Sequence, residues 1–274
     1  MIDCKKLAQS IKDKCKEDLK EVHTPYYLKI IQVEGDSASN AYTKGKRKDC
    51  EEIGLGCRHT LLPNNCDWLD VMREIDESNL DDACCGIILQ LPLPKHLVDY
   101  KDLFIERIRP SKDVDGFREN SPYQPCTPSG IIEILESVVG DLTGLHCVVV
   151  GRSDLVGYPT FKMLNKLNAT VTLCNSHTSP ALLGALCLGS HVVISATGVP
   201  KLITCNHVFA DTVVIDAGIS RDEDGNLCGD CDKELYDYVE NITTVPGGVG
   251  LMTRAMLMNN CVQSARRMEG FVDD

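Results

Sequence analysis

One segment limits the possible folds of this chain more than any other: an apolar run from His146 to Val150 stops at Gly151 and continues through a polar loop into a helix-like stretch. In α/β proteins such a junction holds the pyrophosphate of a dinucleotide at the helix N-terminus. Gly151 lets the backbone approach phosphates, and Ser153 offers a hydroxyl and an amide. The spacing is Gly-x-Ser-x-x-x-Gly, ending at Gly157, rather than GxGxxG, so an ordinary turn is the alternative interpretation.

The residues after this junction repeat the pattern of apolar runs. A predicted helix, 160–167, follows Pro159, which suits the first helical position, and the β-branched run 168–174 completes a βαβ unit of about 30 residues. Two further runs end in small residues: 191–195 is followed by Ala196, Thr197 and Gly198, and 212–216 by Ala217 and Gly218. Continuous apolar runs are typical of buried parallel strands. The pattern predicts a Rossmann-type, doubly wound dinucleotide-binding domain.

Length and composition fit a globular α/β protein of one or two domains. The 274 residues are 43% hydrophobic and 25% charged, and the sequence pattern changes near residue 140. We therefore expect two domains. The first is an N-terminal α/β catalytic domain of residues 1–140, to which the C-terminal helix within residues 251–274 returns. The second is the dinucleotide-binding domain of residues 141–250.

Charge and hydropathy argue against several classes of partner. The net charge of -12 opposes general nucleic-acid binding, which needs clustered Lys and Arg. No apolar stretch approaches the roughly 20 residues that span a bilayer. The mixed charges between Met1 and Lys6 are unlike the apolar core of a signal peptide. We expect a cytoplasmic protein that binds neither nucleic acid nor membranes.

The 15 cysteines are scattered through apolar runs, where a reduced thiol acts as a small hydrophobic side chain. One pair, Cys228 and Cys231, has CxxC spacing. No second CxxC and no close His pair completes a zinc set around it. The sequence therefore predicts no metal.

The first half of the chain alternates helices with strands, which predicts a parallel sheet. The predicted helices are 2–22, 37–53 and 66–79, and the predicted strands are 27–33, 57–62 and 85–91. Two later helices are predicted at 131–139, capped near Thr127, and at 252–268. The last of these has Met252, Met256, Asn259, Val262 and Met268 on roughly one face.

Three polar side chains share one face of the predicted helix 37–53. Ser39, Tyr42 and Lys46 lie at positions i, i+3 and i+7, just beyond a strand end. The same helix carries three more cations, Lys44, Arg47 and Lys48. Their charge disfavours another ammonium and favours a neutral, proton-accepting Lys46. A solvated basic helix face is the alternative interpretation.

Three further segments supply polar groups or close backbone approach. Asp113 and Asp115 lie two residues apart. A carboxylate at the end of a strand accepts two N–H bonds from a heterocycle, which indicates a ligand site. The alternative interpretation is an Asx turn, which has the same composition. Gln90 ends a strand before two prolines and is placed either to donate to a carbonyl or to orient a lysine. The glycine-rich run 245–250 lets backbone approach a ligand or acts as an interdomain hinge.

Six of these segments, taken in order, resemble one family: the bifunctional methylenetetrahydrofolate dehydrogenase/methenyltetrahydrofolate cyclohydrolase, or FolD, family. The resemblance covers nearly the whole chain and is far more specific than any single segment. It rests on the Ser39-x-x-Tyr42-x-x-x-Lys46 helix, residues 86–94, 112–117 and 125–128, the Gly151 loop and residues 245–250.

The resemblance implies two reactions on tetrahydrofolate derivatives. NADP+ takes a hydride from 5,10-methylenetetrahydrofolate, and water opens the resulting methenyl compound to 10-formyltetrahydrofolate. It implies that Lys46 is the acid–base residue of hydrolysis with Gln90 as its partner, that Tyr42 stacks on the aminobenzoyl ring and that Asp115 anchors the pterin. The remaining implied substrate-binding residues are Ser39, Pro246, Gly247 and Gly248. A homodimer and a role in purine biosynthesis are also implied.

The implied cofactor site selects NADP rather than NAD. Its residues are Gly151, Arg152, Ser153, Val156, Gly157, Ser176, His177, Ala196, Thr197, Gly198, Gly218 and Ile219. No carboxylate follows Cys174, where an NAD enzyme binds the ribose hydroxyl, and Arg152 and Ser176 match the family positions for the 2'-phosphate. His177 and Asp154 depart from that pattern, as do Tyr158 and Leu251, which stands where the family usually has proline.

Four alternatives remain at this point. The chain could be a dehydrogenase with weak or no cyclohydrolase activity, or another two-domain dehydrogenase of the shikimate type. It could also be a folate- or nucleotide-binding protein without catalysis, or a cysteine-based redox or metal protein. The presence of Tyr42, Lys46, Gln90 and Asp115 disfavours the loss of catalysis, and Asp113-Val114-Asp115-Gly116 is absent from the shikimate type.

Overall fold

The chain forms two compact units in a computed structural model that describes residues 1–35 and 37–271. The three-stranded unit comprises the described residues of Gln9–Cys126 and Arg254–Asp274. The five-stranded unit comprises Met1–Ala8 and Thr127–Thr253. The helix that begins at Cys126 thus lies almost wholly in the five-stranded unit, whereas the sequence pattern suggested a boundary near residue 140.

The three-stranded unit is built on a parallel sheet of order β2-β1-β3. Its strands are β1 (Tyr27–Val33), β2 (Gly56–Leu62) and β3 (Cys84–Leu89). Its helices are most of α1 (Cys4–Asp18), α2 (Ser37–Ile53), α3 (Trp68–Leu80), α4 (Lys101–Arg107) and the larger part of α9 (Val249–Met268). The predicted return of the C-terminal helix to the first domain is confirmed.

A bulge in β3 supports the loop that carries Asp115. Tyr27 pairs with Cys84 but Leu28 pairs with Gly86, so Cys85 is the extra residue. Gly86 then faces Val114: a Cβ on Gly86 would lie 2.7 Å from both Val114 methyl groups. The bare glycine therefore lets Val114 pack against the sheet in the same buried core as Leu28.

The five-stranded unit has the doubly wound architecture predicted from its apolar runs. All five strands are parallel, in the order β10-β7-β6-β4-β5. They are β4 (His146–Val150), β5 (Thr170–Cys174), β6 (Val192–Ser195), β7 (Val213–Asp216) and β10 (Asn241–Ile242). The order reverses between β4 and β6, and ligands of such sheets bind beyond the carboxyl ends at this switch point.

Helices and a small hairpin complete the five-stranded unit. They are α5 (Cys126–Val139), α6 (Gly157–Lys166), α7 (Pro180–Leu188), α8 (Leu235–Tyr238) and the hairpin of β8 (Ser220–Arg221) with β9 (Leu227–Cys228). The chain start also belongs here, because the Ile2 N–H donates to the Ile242 carbonyl at 3.0 Å. Within the described ranges, no helix has both the length and the apolar character of a membrane span.

Several predicted element boundaries were wrong. Helix α6 begins at Gly157, so Pro159 is its third residue rather than its first. Helix α3 begins at Trp68 because Asp67 caps it through a reciprocal pair of hydrogen bonds with Asp70. Helices α4 and α7 were not predicted, although Ser179 followed by Pro180 is an N-terminal signal for α7.

Candidate active site

The buried amine of Lys46 is the centre of the polar site in the three-stranded unit. Lys46 is 6% exposed on α2, and its Nζ donates a hydrogen bond to Gln90 Oε1 at 3.1 Å. Gln90 follows β3, and its backbone N–H extends the ladder to the Ile31 carbonyl at 2.8 Å. Gln90 Nε2 donates to the Leu91 carbonyl at 2.7 Å, which leaves Oε1 to accept from the lysine.

Ser39 and Tyr42 lie on the same face of α2 as Lys46. The Ser39 hydroxyl is buried and donates to the Leu91 carbonyl at 3.2 Å. The Tyr42 ring is half-buried, with its centroid 5.7 Å from Lys46 Nζ. The structure therefore brings these three predicted residues together with Gln90, and a wholly solvated basic face is excluded for Ser39 and Lys46.

The charges around Lys46 differ from those that the sequence suggested. Lys44, Arg47 and Lys48 are exposed, so water screens their charge. Asp115 instead interacts electrostatically with Lys46. Burial raises the pKa of Asp115, the Lys46 ammonium opposes that increase, and Asp113 adds to it. The site therefore couples an amine to a carboxylate.

The loop that carries Asp115 is held by hydrogen bonds between its own residues. The Asp113 side chain is buried and accepts the Arg118 N–H at 2.9 Å, while its carbonyl accepts the Gly116 N–H at 3.0 Å. Gly116 has φ +71°, and a Cβ there would lie 2.6 Å from the Gln124 carbonyl carbon. The loop conformation therefore requires glycine at this position.

Lys112, which was not predicted as a structural residue, fixes the start of this loop. Its buried Nζ donates to the carbonyls of Ser78 at 2.9 Å, Asn79 at 3.1 Å and Asp81 at 2.7 Å. These carbonyls lie at the C-terminal end of α3, where a cation is favoured. Burial lowers the pKa of Lys112.

Asn260 on α9 holds the other side of the loop and was also missed. Its Nδ2 donates to the Val114 carbonyl at 2.9 Å and to the Gln124 carbonyl at 3.0 Å. Asn260 is 4% exposed and lies one turn before the buried Ser264. Two polar residues at i and i+4 on an otherwise apolar helix face are the sequence signal that could have identified them.

The carboxyl edge of the five-stranded sheet brings the predicted nucleotide loops together. The Gly151 N–H donates to the Cys174 carbonyl at 3.0 Å, and the Ala196 N–H donates to the Val150 carbonyl at 2.8 Å. Gly151 has φ +111°, and a Cβ there would lie 2.4 Å from the Ala196 carbonyl oxygen. The loops after β5, β4 and β6 therefore lie side by side at the switch point.

The irregular glycine spacing has a geometric explanation. A Cβ on Gly157 would lie 2.0 Å from the Gly151 carbonyl oxygen, so the first turn of α6 packs directly on the loop backbone. The Ser153 hydroxyl accepts the N–H groups of Val156 at 3.3 Å and Gly157 at 3.4 Å. This glycine-lined approach to a helix N-terminus fits the pyrophosphate of a dinucleotide.

The residues expected to select the cofactor share one edge of this sheet. Val150 pairs with Cys174, and Arg152 and Ser176 each follow two residues later, both exposed. Asn175 Oδ1 accepts the His177 N–H at 2.9 Å, an Asx turn that presents no carboxylate to solvent. An uncharged turn beside an exposed arginine fits a ribose 2'-phosphate. Asp154 is exposed in the same loop.

Five more predicted residues of the five-stranded unit, Pro246, Gly247, Gly248, Gly218 and Ile219, lie in two tight turns. Gly247 has φ +102°, and a Cβ on Gly248 would lie 2.4 Å from the Thr244 carbonyl oxygen. The Thr244 hydroxyl donates to the Pro246 carbonyl at 3.1 Å, just before α9. After β7, the Gly218 N–H donates to Asp216 Oδ1 at 3.0 Å, and Ile219 is 57% exposed.

The segment that contains the CxxC pair is held through its backbone. The N–H groups of Asp230 and Cys231 both donate to the buried Asp216 carboxylate at 2.9 Å. Burial raises the pKa of Cys231, which makes its thiol a poor nucleophile and metal ligand. Among residues 1–35 and 37–271, no group of three His, Cys, Asp or Glu side chains could hold a metal ion.

These two sites define a two-unit α/β enzyme of the dinucleotide-dependent class. Residues 2–115 match the tetrahydrofolate dehydrogenase/cyclohydrolase catalytic domain, and residues 125–269 match the NAD(P)-binding domain of the same family. The chain therefore belongs to the tetrahydrofolate dehydrogenase/cyclohydrolase family, as its sequence predicts. This membership excludes the shikimate-type alternative.

Individual relatives agree over nearly their whole length. The bifunctional protein FolD of Agathobacter rectalis is 41% identical over 280 residues, which cover 97% of this chain and 99% of that protein. The crystal structure of bifunctional FolD from Campylobacter jejuni matches with a TM-score of 0.90 at 38% identity, covering 97% and 98% of the two chains. FolD of Trypanosoma brucei, solved with NADP cofactor and inhibitor, matches with a TM-score of 0.91 at 29% identity, covering 99% and 98%.

Proposed function

We propose that this chain oxidises 5,10-methylenetetrahydrofolate with NADP+ and hydrolyses the product to 10-formyltetrahydrofolate. The observation that supports this most is the buried Lys46 amine, donating to Gln90 and coupled to Asp115, in a chain of this family. An amine oriented by one fixed acceptor is suited to moving a proton during hydrolysis. Gln90 is its positioning partner.

The other groups of this site bind and orient the substrate in the proposal. The Asp115 carboxylate accepts N–H bonds from the pterin edge. Lys112 and Asn260 fix its loop on both sides, which holds the carboxylate in one position. Tyr42 stacks on the aminobenzoyl ring. Ser39 holds the Leu91 carbonyl in place, and Pro246, Gly247 and Gly248 offer backbone to the substrate.

NADP is the proposed cofactor, and when bound it supplies the hydride acceptor. Gly151, Ser153, Val156 and Gly157 would hold its pyrophosphate at the N-terminus of α6. Arg152, Ser176 and His177 would hold the 2'-phosphate. The loops that contain Ala196, Thr197, Gly198, Gly218 and Ile219 would position the nicotinamide end.

One assay tests both reactions. The absorbance of the methenyl compound should rise when the protein is mixed with methylenetetrahydrofolate and NADP+, and should then decay faster than without protein. Absence of the rise with either NADP+ or NAD+ would contradict the dehydrogenase. A rise without catalysed decay would identify the alternative of a dehydrogenase that lacks cyclohydrolase activity.

Cofactor selection is tested by Arg152→Ala. Loss of a cation that pairs with the 2'-phosphate should raise the KM for NADP+ by about tenfold or more, equivalent to about 1.4 kcal/mol, and change the KM for NAD+ much less. Lys166→Ala, which removes an exposed cation from the end of α6, is the control. Equal changes for both cofactors would contradict the assignment.

We further propose that the protein is a cytoplasmic homodimer that acts in purine biosynthesis, with domains at residues 1–140 plus 251–274 and 141–250. Sedimentation equilibrium should give twice the chain mass of 30.1 kDa. A mass of 30.1 kDa across micromolar concentrations would contradict the dimer.

A further inference from the structure

The CxxC segment has a feature that its cysteines do not explain: the side chain of Asp230, between them, is fully buried. Its Oδ2 accepts three hydrogen bonds, from the Ser195 hydroxyl at 2.7 Å, the Thr197 N–H at 2.7 Å and the Thr197 hydroxyl at 2.8 Å. Ser195 is the last residue of β6, and Thr197 follows it in the loop at the switch point. One oxygen therefore fixes both the end of β6 and its loop.

A second buried carboxylate fastens this segment to β7. Asp216, the last residue of β7, accepts the N–H groups of Asp230 and Cys231 at 2.9 Å and of Gly218 at 3.0 Å. Each of the two carboxylates packs closely against a glycine. A Cβ on Gly218 would lie 2.0 Å from Asp230 Oδ1, and a Cβ on Gly229 would lie 2.1 Å from Asp216 Oδ2.

Complete burial of the Asp230 carboxylate is unfavourable in free energy if the residue serves stability alone. Burying a carboxylate is unfavourable unless strong hydrogen bonds compensate for the lost hydration. Among residues 1–35 and 37–271, Asp230 Oδ1 has no hydrogen-bond partner, so the compensation comes from the three donors on Oδ2. Two of these donors belong to Thr197 in the loop 196–198, at the strand reversal where a dinucleotide binds, and the third is Ser195 at the end of β6.

We propose that Asp230 is the positioning residue for the loop 196–198 and, through it, for the cofactor used in the dehydrogenase reaction. This inference rests on the proposed function, in which Thr197 and Gly198 contact the nicotinamide end of NADP. The Thr197 hydroxyl also accepts the Val199 N–H at 3.1 Å, so the order imposed by Asp230 extends along the loop. The polar groups that act in hydrolysis, Lys46, Gln90 and Asp115, lie in the other unit.

The test measures both reactions in Asp230→Ala and Asp230→Asn. We expect Asp230→Ala to raise the KM for NADP+ by about tenfold or more, while cyclohydrolase activity on the methenyl compound stays within about twofold of the unchanged protein. The KM of Asp230→Asn for NADP+ should lie between those of Asp230→Ala and the unchanged protein. A neutral amide oxygen still accepts hydrogen bonds but accepts them more weakly. The control is Asp232→Asn, two residues away, where the side chain accepts the Glu234 N–H at 3.1 Å.

Two results would overturn the inference. One is an NADP+ KM within twofold of the unchanged protein in Asp230→Ala. The other is a parallel loss of dehydrogenase and cyclohydrolase activities, which would indicate general damage to the fold. If Asp230→Ala does not fold, Asp230→Asn and Thr197→Val are used in its place. An unchanged KM for NADP+ in both of these variants would overturn the inference. Failure of the unchanged protein to use NADP+ would instead contradict the proposed function, and the inference with it.

Discussion

At the residue scale, the candidate site depends on the buried Lys46 amine and on the polar groups near it. Helical spacing puts Ser39, Tyr42 and Lys46 on one face of α2, where Lys46 donates to Gln90 and Ser39 donates to the adjacent Leu91 carbonyl. The effect of neighbouring cations on Lys46 could not be predicted, because it depends on which side chains face water. The partner that matters, Asp115, is distant in sequence.

The pH dependence of folate affinity tests Asp115. Its pKa is raised above the ordinary 3.8, mainly by burial. Because the proposed pterin ligand is the ionised Asp115 carboxylate, folate affinity should be complete above the raised pKa and lost as pH falls through it. Calorimetric titration with tetrahydrofolate should give a midpoint above 3.8. A midpoint at or below that value would contradict this assignment.

Asp115→Asn separates binding from stability. A raised carboxyl pKa means that the folded chain disfavours the ionised form, so above the ordinary pKa the charge lowers the free energy of unfolding. The substitution should therefore weaken tetrahydrofolate binding at neutral pH while the melting temperature is unchanged or higher. A large fall in melting temperature would show that the carboxylate stabilises the loop instead.

Gly157 tests the close packing of α6 on the nucleotide loop. In Gly157→Ala the new methyl would lie 2.0 Å from the Gly151 carbonyl oxygen, so the backbone must move. We expect a loss of about 1–3 kcal/mol in the free energy of unfolding and weaker NADP+ binding. Gly184→Ala, within α7, is the control, because the new Cβ would lie 3.9 Å from the His207 ring, an ordinary contact. This variant should gain about 0.5–1 kcal/mol in the free energy of unfolding. Equal denaturant midpoints for the two variants would contradict the packing argument.

At the element scale, the strands and helices with strong periodicity were predicted, and the errors lie mainly at the first residues of helices such as α3 and α6. The apolar runs of β4 to β7 match their predicted positions to within one or two residues. The predicted face of α9 is only partly buried: Met252 and Val262 are buried, whereas Met256 and Met268 are at least partly exposed. Ala255, Met258 and Ala265 are also buried. A helix that packs on most of its surface has weak periodicity, so the pattern could not specify the face.

Lys112 tests how one side chain joins two elements. Lys112→Met keeps the length of the side chain but leaves the carbonyls of Ser78, Asn79 and Asp81 without their shared donor. We expect the free energy of unfolding to fall by about 2–4 kcal/mol, measured by chemical denaturation, because buried acceptors lose a charged partner. Lys95→Met, at an exposed lysine, is the control. A loss below 0.5 kcal/mol, the size of an ordinary surface substitution, would contradict this role.

At the scale of the whole molecule, the order of segments carried more information than any one of them. The Gly151 loop alone resembles an ordinary turn, yet six ordered segments identified the family that the domain matches establish. The sequence could not reveal the network of Asp216 and Asp230, because their partners come from three segments that only the folded sheet brings together.

The central claim is that a bifunctional enzyme uses Lys46 for hydrolysis and the five-stranded unit for the cofactor. The most direct measurement compares both reactions in Lys46→Met, with Lys44→Met, at an exposed position of the same helix, as the control. We predict that Lys46→Met abolishes catalysed decay of the methenyl compound and leaves NADP+ affinity within about twofold, while Lys44→Met retains both. Catalysed decay at the unchanged rate in Lys46→Met would contradict the account.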